Sequence, residues 1–231
     1  MAVKLFLIRH GQTLWNQEGR YQGDKDIDLT KEGIRQARLT AEYLSDVNFS
    51  NIYSSPLKRA VDTANIINKT NKGKNLKIII RDNFKEMHFG KWEGMKFEQL
   101  GKVFPEEFHQ WLNDPYNYCP TGGESFKQVK ERSIKEIENI VKENEEGSNV
   151  AVVAHGGVIL SILVYWLQIP LPRWRSIILH QGAINIAVVD RGFPYISTIN
   201  FTGHLNPIYD DSGDKIIKTY SRFRSDDGKS G

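Results

Sequence analysis

Short apolar runs alternate along the chain with segments in which apolar residues recur every three or four positions. Nearly continuous apolar runs are typical of strands buried in a parallel sheet, whereas the longer spacing indicates amphipathic helices. Predicted strands cover residues 3–8, 51–54, 77–80, 149–154, 183–190 and 195–201. Predicted helices cover residues 31 to about 46, a segment that begins at Ser55-Pro56, a segment from 124 or 125 to about 146, and residues 158–167.

Capping residues indicate where two of these helices begin. Thr30 and Ser55 are the expected N-caps, because a hydroxyl can accept a hydrogen bond from a backbone N–H that the first turn leaves unpaired. Pro56 suits the first helical position, where no N–H is needed. We therefore expect the second helix to begin directly at the end of the preceding strand.

The alternation of strands and helices predicts an α/β fold, a three-layer α/β/α sandwich around a mostly parallel central sheet. The last two strands, joined at Arg191-Gly192, predict an antiparallel hairpin at the sheet edge. An aromatic-rich stretch after the third strand, residues 89–121, predicts a small helical cap. Its rings either line a pocket for an organic ligand or pack a core of their own. We expect residues 1–205 to form one domain and residues 206–231 a polar C-terminal tail.

The composition is that of an ordinary globular protein, with 231 residues, 39% hydrophobic and 26% charged. The net charge of +3 and the lack of any Lys/Arg cluster predict no nucleic-acid partner. One cysteine, Cys119, precludes an internal disulfide and a thiolate metal site and favours a reducing compartment. The N-terminus does not resemble a signal peptide, and the most apolar window, residues 157–169, is too short to span a bilayer. We therefore expect a cytoplasmic protein without a membrane partner.

Basic side chains and imidazoles follow three of the predicted strands. Arg9 and His10 end the first strand, Arg59 lies near the first turn after the second, and His155 follows the fourth. Ligands of open α/β sheets bind at the carboxyl ends of the strands, where these residues should meet. A cation at a helix N-terminus, which is already positive, is favourable when an anion binds there. Taken alone, each arginine could instead form a surface salt bridge, and each histidine could be structural.

Hydrolysis of a phosphate monoester would use this set of groups. The uncatalysed reaction is among the slowest known, so several cations must converge on the phosphoryl oxygens. Arg9, Arg59 and a protonated or donating His155 could provide that charge. A neutral His10 could attack phosphorus through a ring nitrogen.

The leaving alkoxide needs a proton, and three carboxylates follow the third strand: Asp82, Glu86 and Glu93. Spacing alone does not separate them, and loop carboxylates are often caps or ion-pair partners; Glu86 is our choice as the acid. The arrangement requires no metal and no cofactor. Metal motifs such as HExxH and the glycine-rich phosphate loops are absent from the sequence, which argues against an NTPase or a dinucleotide enzyme.

The same residues carry a resemblance that runs in order through most of the chain, to about residue 205. Its segments are 7–16 (LIRHGQTLWN), 20–23 (RYQG), 29–33 (LTKEG), 54–60 (SSPLKRA), Glu86 with 89–94 (FGKWEG), 122–125 (GGES) and 154–157 (AHGG). Together they resemble the histidine phosphatase superfamily, which includes the cofactor-dependent phosphoglycerate mutases. The resemblance implies a phosphohistidine at His10, a phosphate pocket of Arg9, Arg59 and His155, and a proton donor at Glu86. By analogy, the substrate-binding residues are Asn16, Gln22, Gly23 and Gly156.

Within the superfamily, the chain resembles the phosphatase branch, which includes α-ribazole phosphatases and broad-specificity phosphatases. The mutases carry a longer insertion between the acid and the second histidine, whereas here that segment is compact. A mutase must also bind a second phosphate and a carboxylate, for which Lys91, Lys96 and Lys102 are the only obvious cations. The sequence therefore predicts hydrolysis of a small-molecule phosphomonoester. The alternatives are a phosphoglycerate mutase and a non-catalytic binder of phosphorylated ligands, and the apolar residues 158–169 leave a homodimer open.

Overall fold

A computed structural model describes residues 2–71 and 75–205 of the chain. Its strands are β1 (Ala2–Arg9), β2 (Phe49–Ser54), β3 (Ile78–Ile80), β4 (Asn149–Ala154), β5 (Ile184–Asp190) and β6 (Phe193–Phe201). Its helices are α1 (Leu14–Glu18), α2 (Lys31–Tyr43), α3 (Lys58–Thr70), α4 (Phe97–Val103), α5 (Pro105–Asn113), α6 (Phe126–Glu143) and α7 (Gly156–Trp166). The predicted tail, residues 206–231, lies outside the described residues.

One mixed sheet has the strand order β3-β2-β4-β1-β5-β6. The first four strands in that order run parallel, and β5 and β6 add the predicted antiparallel hairpin beside β1. Arg9 pairs with Ala154, and Ser54 pairs with Val153. Because of this register, the carboxyl ends of β1, β2 and β4 lie side by side.

Side chains of β1 alternate between two apolar cores, which is why its sequence is almost continuously apolar. Leu5 and Leu7 face the core formed with α6 and α7, whereas Phe6 and Ile8 face the core formed with α2 and α3. Full burial of such a side chain stabilises the fold by about 1.5–3 kcal/mol. The helices thus cover both faces of the sheet, which confirms the predicted α/β/α sandwich.

The predicted start of α3 is wrong by about two residues. Ser55 N donates to Val153 O, which continues the pairing one residue beyond β2, and Ser55 is not the N-cap. The helix begins at Lys58 with Leu57 as its N-cap. Thr30, by contrast, caps α2 as predicted, with its side chain accepting from Gly33 N.

Two predicted helix ends are too late, and one helix was not predicted. The structure ends α2 at Tyr43 and α6 at Glu143, each three residues before the predicted end. The unpredicted helix is α1, which spans 5 residues and is capped by Thr13. So short a helix has no apolar periodicity to detect.

The segment between β3 and α6 contains α4 and α5, which confirms a helical insertion after the third strand. Trp92, Phe108 and Trp111 are buried in a separate small core, with ring centroids 5.5–6.3 Å apart. Of the two roles predicted for the aromatic stretch, packing therefore accounts for these rings.

Elsewhere, a groove of about 710 Å³ runs between α6, α7 and the β5–β6 hairpin, and none of the predicted site residues lines it. Among the described helices, none is long and apolar enough to cross a membrane.

Candidate active site

The two predicted histidines meet at the carboxyl ends of β1 and β4. His10 follows β1 and His155 follows β4, and both are almost fully buried. Their ring centroids are 5.0 Å apart with the planes inclined by 60°. The sheet register therefore produces the proximity that the strand-end pattern predicted.

Nε2 of His10 has no hydrogen-bond partner among the described residues. Its Nδ1 lies 2.7 Å from the carbonyl oxygen of Gly11, a distance that requires Nδ1–H to donate. Burial lowers the pKa of His10 well below its ordinary value of 6.5, and the charges of Arg59 and Arg9 lower it further. The ring is thus neutral, with a lone pair on Nε2 available for a bond to phosphorus.

Arg59 is the most deeply buried cation of the group, with no exposed surface. Its guanidinium donates to Gly23 O at 2.8 Å, to Lys25 O at 2.6 Å and to His155 Nδ1 at 3.2 Å. Burial lowers the pKa of Arg59 to about 10, so the group remains charged at neutral pH. These contacts tie the first turn of α3 to the loop after α1.

His155 is held in one tautomer by its two neighbours. Nδ1 accepts from Arg59, so the proton resides on Nε2, which lies 2.7 Å from Ser55 Oγ. Burial lowers the pKa of His155 well below 6.5, with Arg59 as the next cause. Of the two forms considered from sequence, these surroundings favour the neutral one, which donates through Nε2–H.

Arg9 ends β1 beside the start of α7. One Nη1–H donates to Leu179 O, and the buried Nε has no hydrogen-bond partner among the described residues. Burial lowers the pKa of Arg9, while the charge of Glu86 acts in the opposite direction. A Cβ on Gly156 would lie 3.2 Å from the guanidinium carbon, so glycine lets the cation pack against the helix start. The free Nε–H is a donor suited to an oxyanion.

Glu86 faces the same cluster from the irregular segment after β3. Its carboxylate accepts from Gly157 N at 3.1 and 3.2 Å and from Met87 N at 2.9 Å. The other two candidate acids are engaged elsewhere. Asp82 is exposed and lies 3.7 Å from Lys85, and Glu93 accepts from Phe89 N.

The residues expected to bind substrate divide into two pairs. Asn16 and Gln22 both contact Thr13, since Asn16 Oδ1 accepts from Thr13 N at 3.1 Å and Gln22 Oε1 accepts from the Thr13 hydroxyl at 2.8 Å. Gly23 and Gly156 contact the two arginines instead. The Gly23 carbonyl accepts a hydrogen bond from Arg59, and Gly156, which has no side chain, lies beside the Arg9 guanidinium.

Possible metal ligands within the described residues come together at Asp24, His88 and Glu93. Nε2 of His88 lies 3.7 Å from Glu93 Oε1 and 3.8 Å from Asp24 Oδ1. Lys25 Nζ lies 3.6 Å from the second oxygen of the buried Glu93 carboxylate. Because an ammonium already balances that carboxylate, the group is better described as an ion-pair network than as a metal centre.

Three neighbours of the site were not expected from sequence to contact it. Ser55 binds His155, Gly157 binds Glu86, and Thr63 Oγ1 accepts from Gly11 N at 3.3 Å while donating to Arg59 O. Ser55 could have been suspected, because it follows a strand that ends beside two others. Thr63 carries no such signal, since its position in a helix suggests packing alone.

Comparisons with known proteins give the family. The sequence model of the histidine phosphatase superfamily (branch 1) matches residues 5–202. "Phosphoserine phosphatase 1" of Hydrogenobacter thermophilus is 34% identical over 207 residues, which cover 90% of this chain and 96% of that protein. "2,3-bisphosphoglycerate-dependent phosphoglycerate mutase 2" of Gloeobacter violaceus is 37% identical over 162 residues, 69% of this chain and 74% of that protein.

Among solved structures, the α-ribazole phosphatase from Shigella flexneri superposes with a TM-score of 0.77 at 28% sequence identity, covering 90% of this chain and 100% of that one. Fold, sequence model and relatives agree with the resemblance drawn from the motifs. The chain belongs to the histidine phosphatase superfamily, branch 1.

Proposed function

We propose that this histidine phosphatase hydrolyses a small organic phosphomonoester through a phosphohistidine at His10, with Glu86 as proton donor. One observation carries the proposal. Two neutral imidazoles lie 5.0 Å apart beside a fully buried guanidinium, which gives a nucleophile and a set of oxyanion donors in one place. The proposed steps use no metal ion and no side chain other than those of Arg9, His10, Arg59, Glu86 and His155.

In the first step, Nε2 of His10 attacks phosphorus in line with the ester oxygen. The P–N bond forms as the P–O bond to the leaving group breaks, and the Glu86 carboxylic acid gives its proton to the departing alkoxide. Arg9 and Arg59 balance the charge on the phosphoryl oxygens, and His155 Nε2–H donates to one of them in exchange for the Ser55 hydroxyl. Removal of one such donor typically costs about 10²–10³ in rate.

In the second step, water attacks the phosphohistidine on the face that the product alcohol has left. The Glu86 carboxylate takes a proton from that water, a new P–O bond forms as the P–N bond breaks, inorganic phosphate is released, and neutral His10 is regenerated. The acid thus returns to its starting state after each turnover.

Trapping the covalent intermediate tests the assignment of the nucleophile. The protein is incubated with 4-nitrophenyl phosphate and quenched in base, and the modified peptide is located by mass spectrometry. We expect phosphate on His10, and no trapped phosphate or turnover in His10→Ala. The matched control is His109→Ala, at an exposed histidine of α5, which should behave as the parent protein. Unchanged hydrolysis in His10→Ala would remove His10 from the mechanism and leave the nucleophile elsewhere.

A phosphoglycerate mutase is the second candidate, because one relative of 37% identity carries that name. A mutase needs cations for a second phosphate and a carboxylate, and the three lysines considered for that role are all exposed. The protein is therefore given 3-phosphoglycerate with and without 2,3-bisphosphoglycerate. Release of inorganic phosphate supports the phosphatase, whereas fast bisphosphate-dependent formation of 2-phosphoglycerate would overturn it.

A non-catalytic binder of phosphorylated ligands would have no use for both a nucleophile and an acid. The presence of His10 and Glu86 in one cluster therefore favours an enzyme. Substrate identity follows from a panel of phosphomonoesters ranked by kcat/KM, with phosphoserine included because a relative of 34% identity is named for it. Turnover of none of them, together with tight binding of one, would favour the binder.

A further inference from the structure

An ion pair outside the proposed site joins Glu124, two residues before α6, to Arg132 in the second turn of that helix. Arg132 donates from Nε to Glu124 Oε1 and from Nη2 to Glu124 Oε2, each at 3.0 Å. The two side chains are only 17% and 26% exposed. Such a bidentate pair has a fixed geometry, since the planar guanidinium matches both carboxylate oxygens.

The same two side chains also hold the backbone on either side of Glu86. Arg132 Nη1 donates to Asn83 O at 2.6 Å and Nη2 donates to Glu86 O at 3.2 Å. Glu124 Oε2 accepts from His88 N at 3.0 Å. One ion pair therefore contacts the segment before, at and after the proposed acid.

Phe84 and Met87 anchor this segment in the core below the sheet, but after Arg81 no backbone hydrogen bond among the described residues joins it to a strand. After β3 the chain makes a single 3₁₀ turn, Asp82–Phe84, and residues 85–89 have no regular structure. Partly buried backbone carbonyls need partners, and Arg132 supplies them to Asn83 and Glu86. The position of the Glu86 carboxylate against Gly157 N thus depends on contacts made from α6.

We propose that Arg132, held by Glu124, is a positioning residue for the general acid of this enzyme. The inference rests on the proposed function, in which Glu86 protonates the leaving oxygen. Loss of the ion pair removes the partners of Asn83 O, Glu86 O and His88 N, so the carboxyl group shifts away from that oxygen while His10 and the arginines keep their own contacts. The defect is therefore confined to substrates that need the proton.

Two substrates of similar size separate this effect from a general loss of structure. Benzyl phosphate releases an alkoxide that must be protonated, whereas 4-nitrophenyl phosphate releases a stable phenolate. General acid catalysis contributes about 10²–10⁴ to the rate. For Arg132→Met we expect kcat/KM on benzyl phosphate to fall about tenfold more than on 4-nitrophenyl phosphate, a fraction of that contribution. This parameter reports the steps up to departure of the leaving group.

Further variants keep the test decisive if Arg132→Met folds poorly. Glu124→Gln weakens the ion pair with little change in side-chain shape and should give the same selective loss. Arg132→Lys should retain more activity on benzyl phosphate than Arg132→Met. Lys130→Met is the matched control, because Lys130 lies on the same helix but donates to Tyr116 OH at 2.8 Å. It should change both substrates by the same factor.

Glu86→Gln separates the positioning role of Arg132 from the proposed function. If Glu86→Gln loses benzyl phosphate selectively but the Arg132 and Glu124 variants reduce both substrates equally, the positioning role is wrong and the proposed function stands. If Glu86→Gln itself shows no selectivity, Glu86 is not the acid, and the proposed function and the positioning role fail together.

Discussion

The side chains of His10 and His155 are surrounded by protein and by the positive charge of Arg59. Burial and that charge both disfavour the imidazolium form, so the pKa of each ring lies well below 6.5. For His10 this keeps a nucleophilic lone pair available at neutral and mildly acidic pH. For His155 it fixes a neutral donor whose proton points toward Ser55.

Stability should decrease as the pH is lowered below about 6.5. In that range the unfolded histidines bind protons that the folded ones do not, so the unfolded state is favoured. Each histidine lowers the free energy of unfolding by at most about 1.4 kcal/mol per pH unit. This decrease ends when the pH reaches the lowered pKa of that histidine in the folded state. Urea unfolding between pH 5 and pH 8 measures this slope.

The control for the pH series is His10→Asn, which keeps a donor for Gly11 O without a titrating ring. Burial also lowers the pKa of His204, so the parent slope contains that contribution as well. The difference between parent and variant isolates His10 and should approach about 1.4 kcal/mol per pH unit. Equal slopes would show that His10 is protonated equally in both states.

Neighbouring glycines at the start of α7 serve different groups. A Cβ on Gly157 would lie 2.5 Å from Glu86 Oε1, whereas one on Gly156 would lie 3.2 Å from the Arg9 guanidinium carbon. We therefore expect Gly157→Ala to lower kcat/KM on benzyl phosphate about tenfold more than on 4-nitrophenyl phosphate. Gly156→Ala should lower both by a similar factor. The reverse pattern would contradict the assigned roles of Glu86 and Arg9.

Among the secondary structure elements, α3 shows how tertiary contacts override a local signal. The sequence Ser55-Pro56 favours a helix start, but the Ser55 amide is bonded to Val153 O and its hydroxyl faces His155. The helix therefore begins two residues later, with Arg59 in its first turn. The start of this helix is thus set by the tertiary contacts of Ser55 as well as by capping propensity.

Helix α4 contains a glycine that has no conformational role. The φ of Gly101 is not positive, and an added Cβ would be in ordinary contact with the Phe108 ring at 3.5 Å. We expect Gly101→Ala to stabilise the protein by about 0.4–1 kcal/mol, because alanine reduces the entropy of the unfolded chain. Urea midpoints measure the change.

The contrasting substitution is Gly11→Ala. Its Cβ would lie 2.3 Å from the backbone oxygen of Gly33, which cannot move without shifting the start of α2. This variant should be destabilised by more than about 1 kcal/mol. A destabilised Gly101→Ala, or a neutral Gly11→Ala, would show that the packing around these glycines is not as described.

At the scale of the whole molecule, the proposed site joins residues that are far apart in sequence. Arg59 and His155 are separated by 96 positions, and Arg9 and Leu179 by 170. Their contacts form only when β1, β2 and β4 have paired, so a ligand that needs the site binds only the folded state. Ligand binding and global stability are therefore linked.

Inorganic phosphate should raise the unfolding temperature of the parent protein. At a phosphate concentration of 100 times Kd the linkage contributes about 2.7 kcal/mol. Arg59→Met should show no phosphate-induced rise in unfolding temperature, whatever its stability without phosphate. The control Arg38→Met, at an exposed position of α2, should show the same rise as the parent protein. Thermal scans with and without phosphate measure both. An increment that survives in Arg59→Met would place the anion elsewhere.

Much of the architecture was predictable because burial leaves a periodic record in the sequence. The six strands, the α/β/α sandwich and the helical insertion are confirmed. The insertion was predictable because residues 89–121 interrupt the alternation of strands and helices. The proximity of His10, Arg59 and His155 is observed as expected, while their catalytic roles remain proposals. The single domain, the homodimer, the cytoplasmic location and the absence of a cofactor and of a nucleic-acid partner also remain predictions.

The sequence alone determined which residues end the parallel strands, since apolar runs mark strands and the polar residues after them are read directly. Only the tertiary structure decided the protonation of the histidines, the partner of Ser55 and the support that Arg132 gives to Glu86. Protonation depends on burial and on charges brought close by folding. Hydrogen-bond partners depend on strand register and helix docking, which no local pattern encodes.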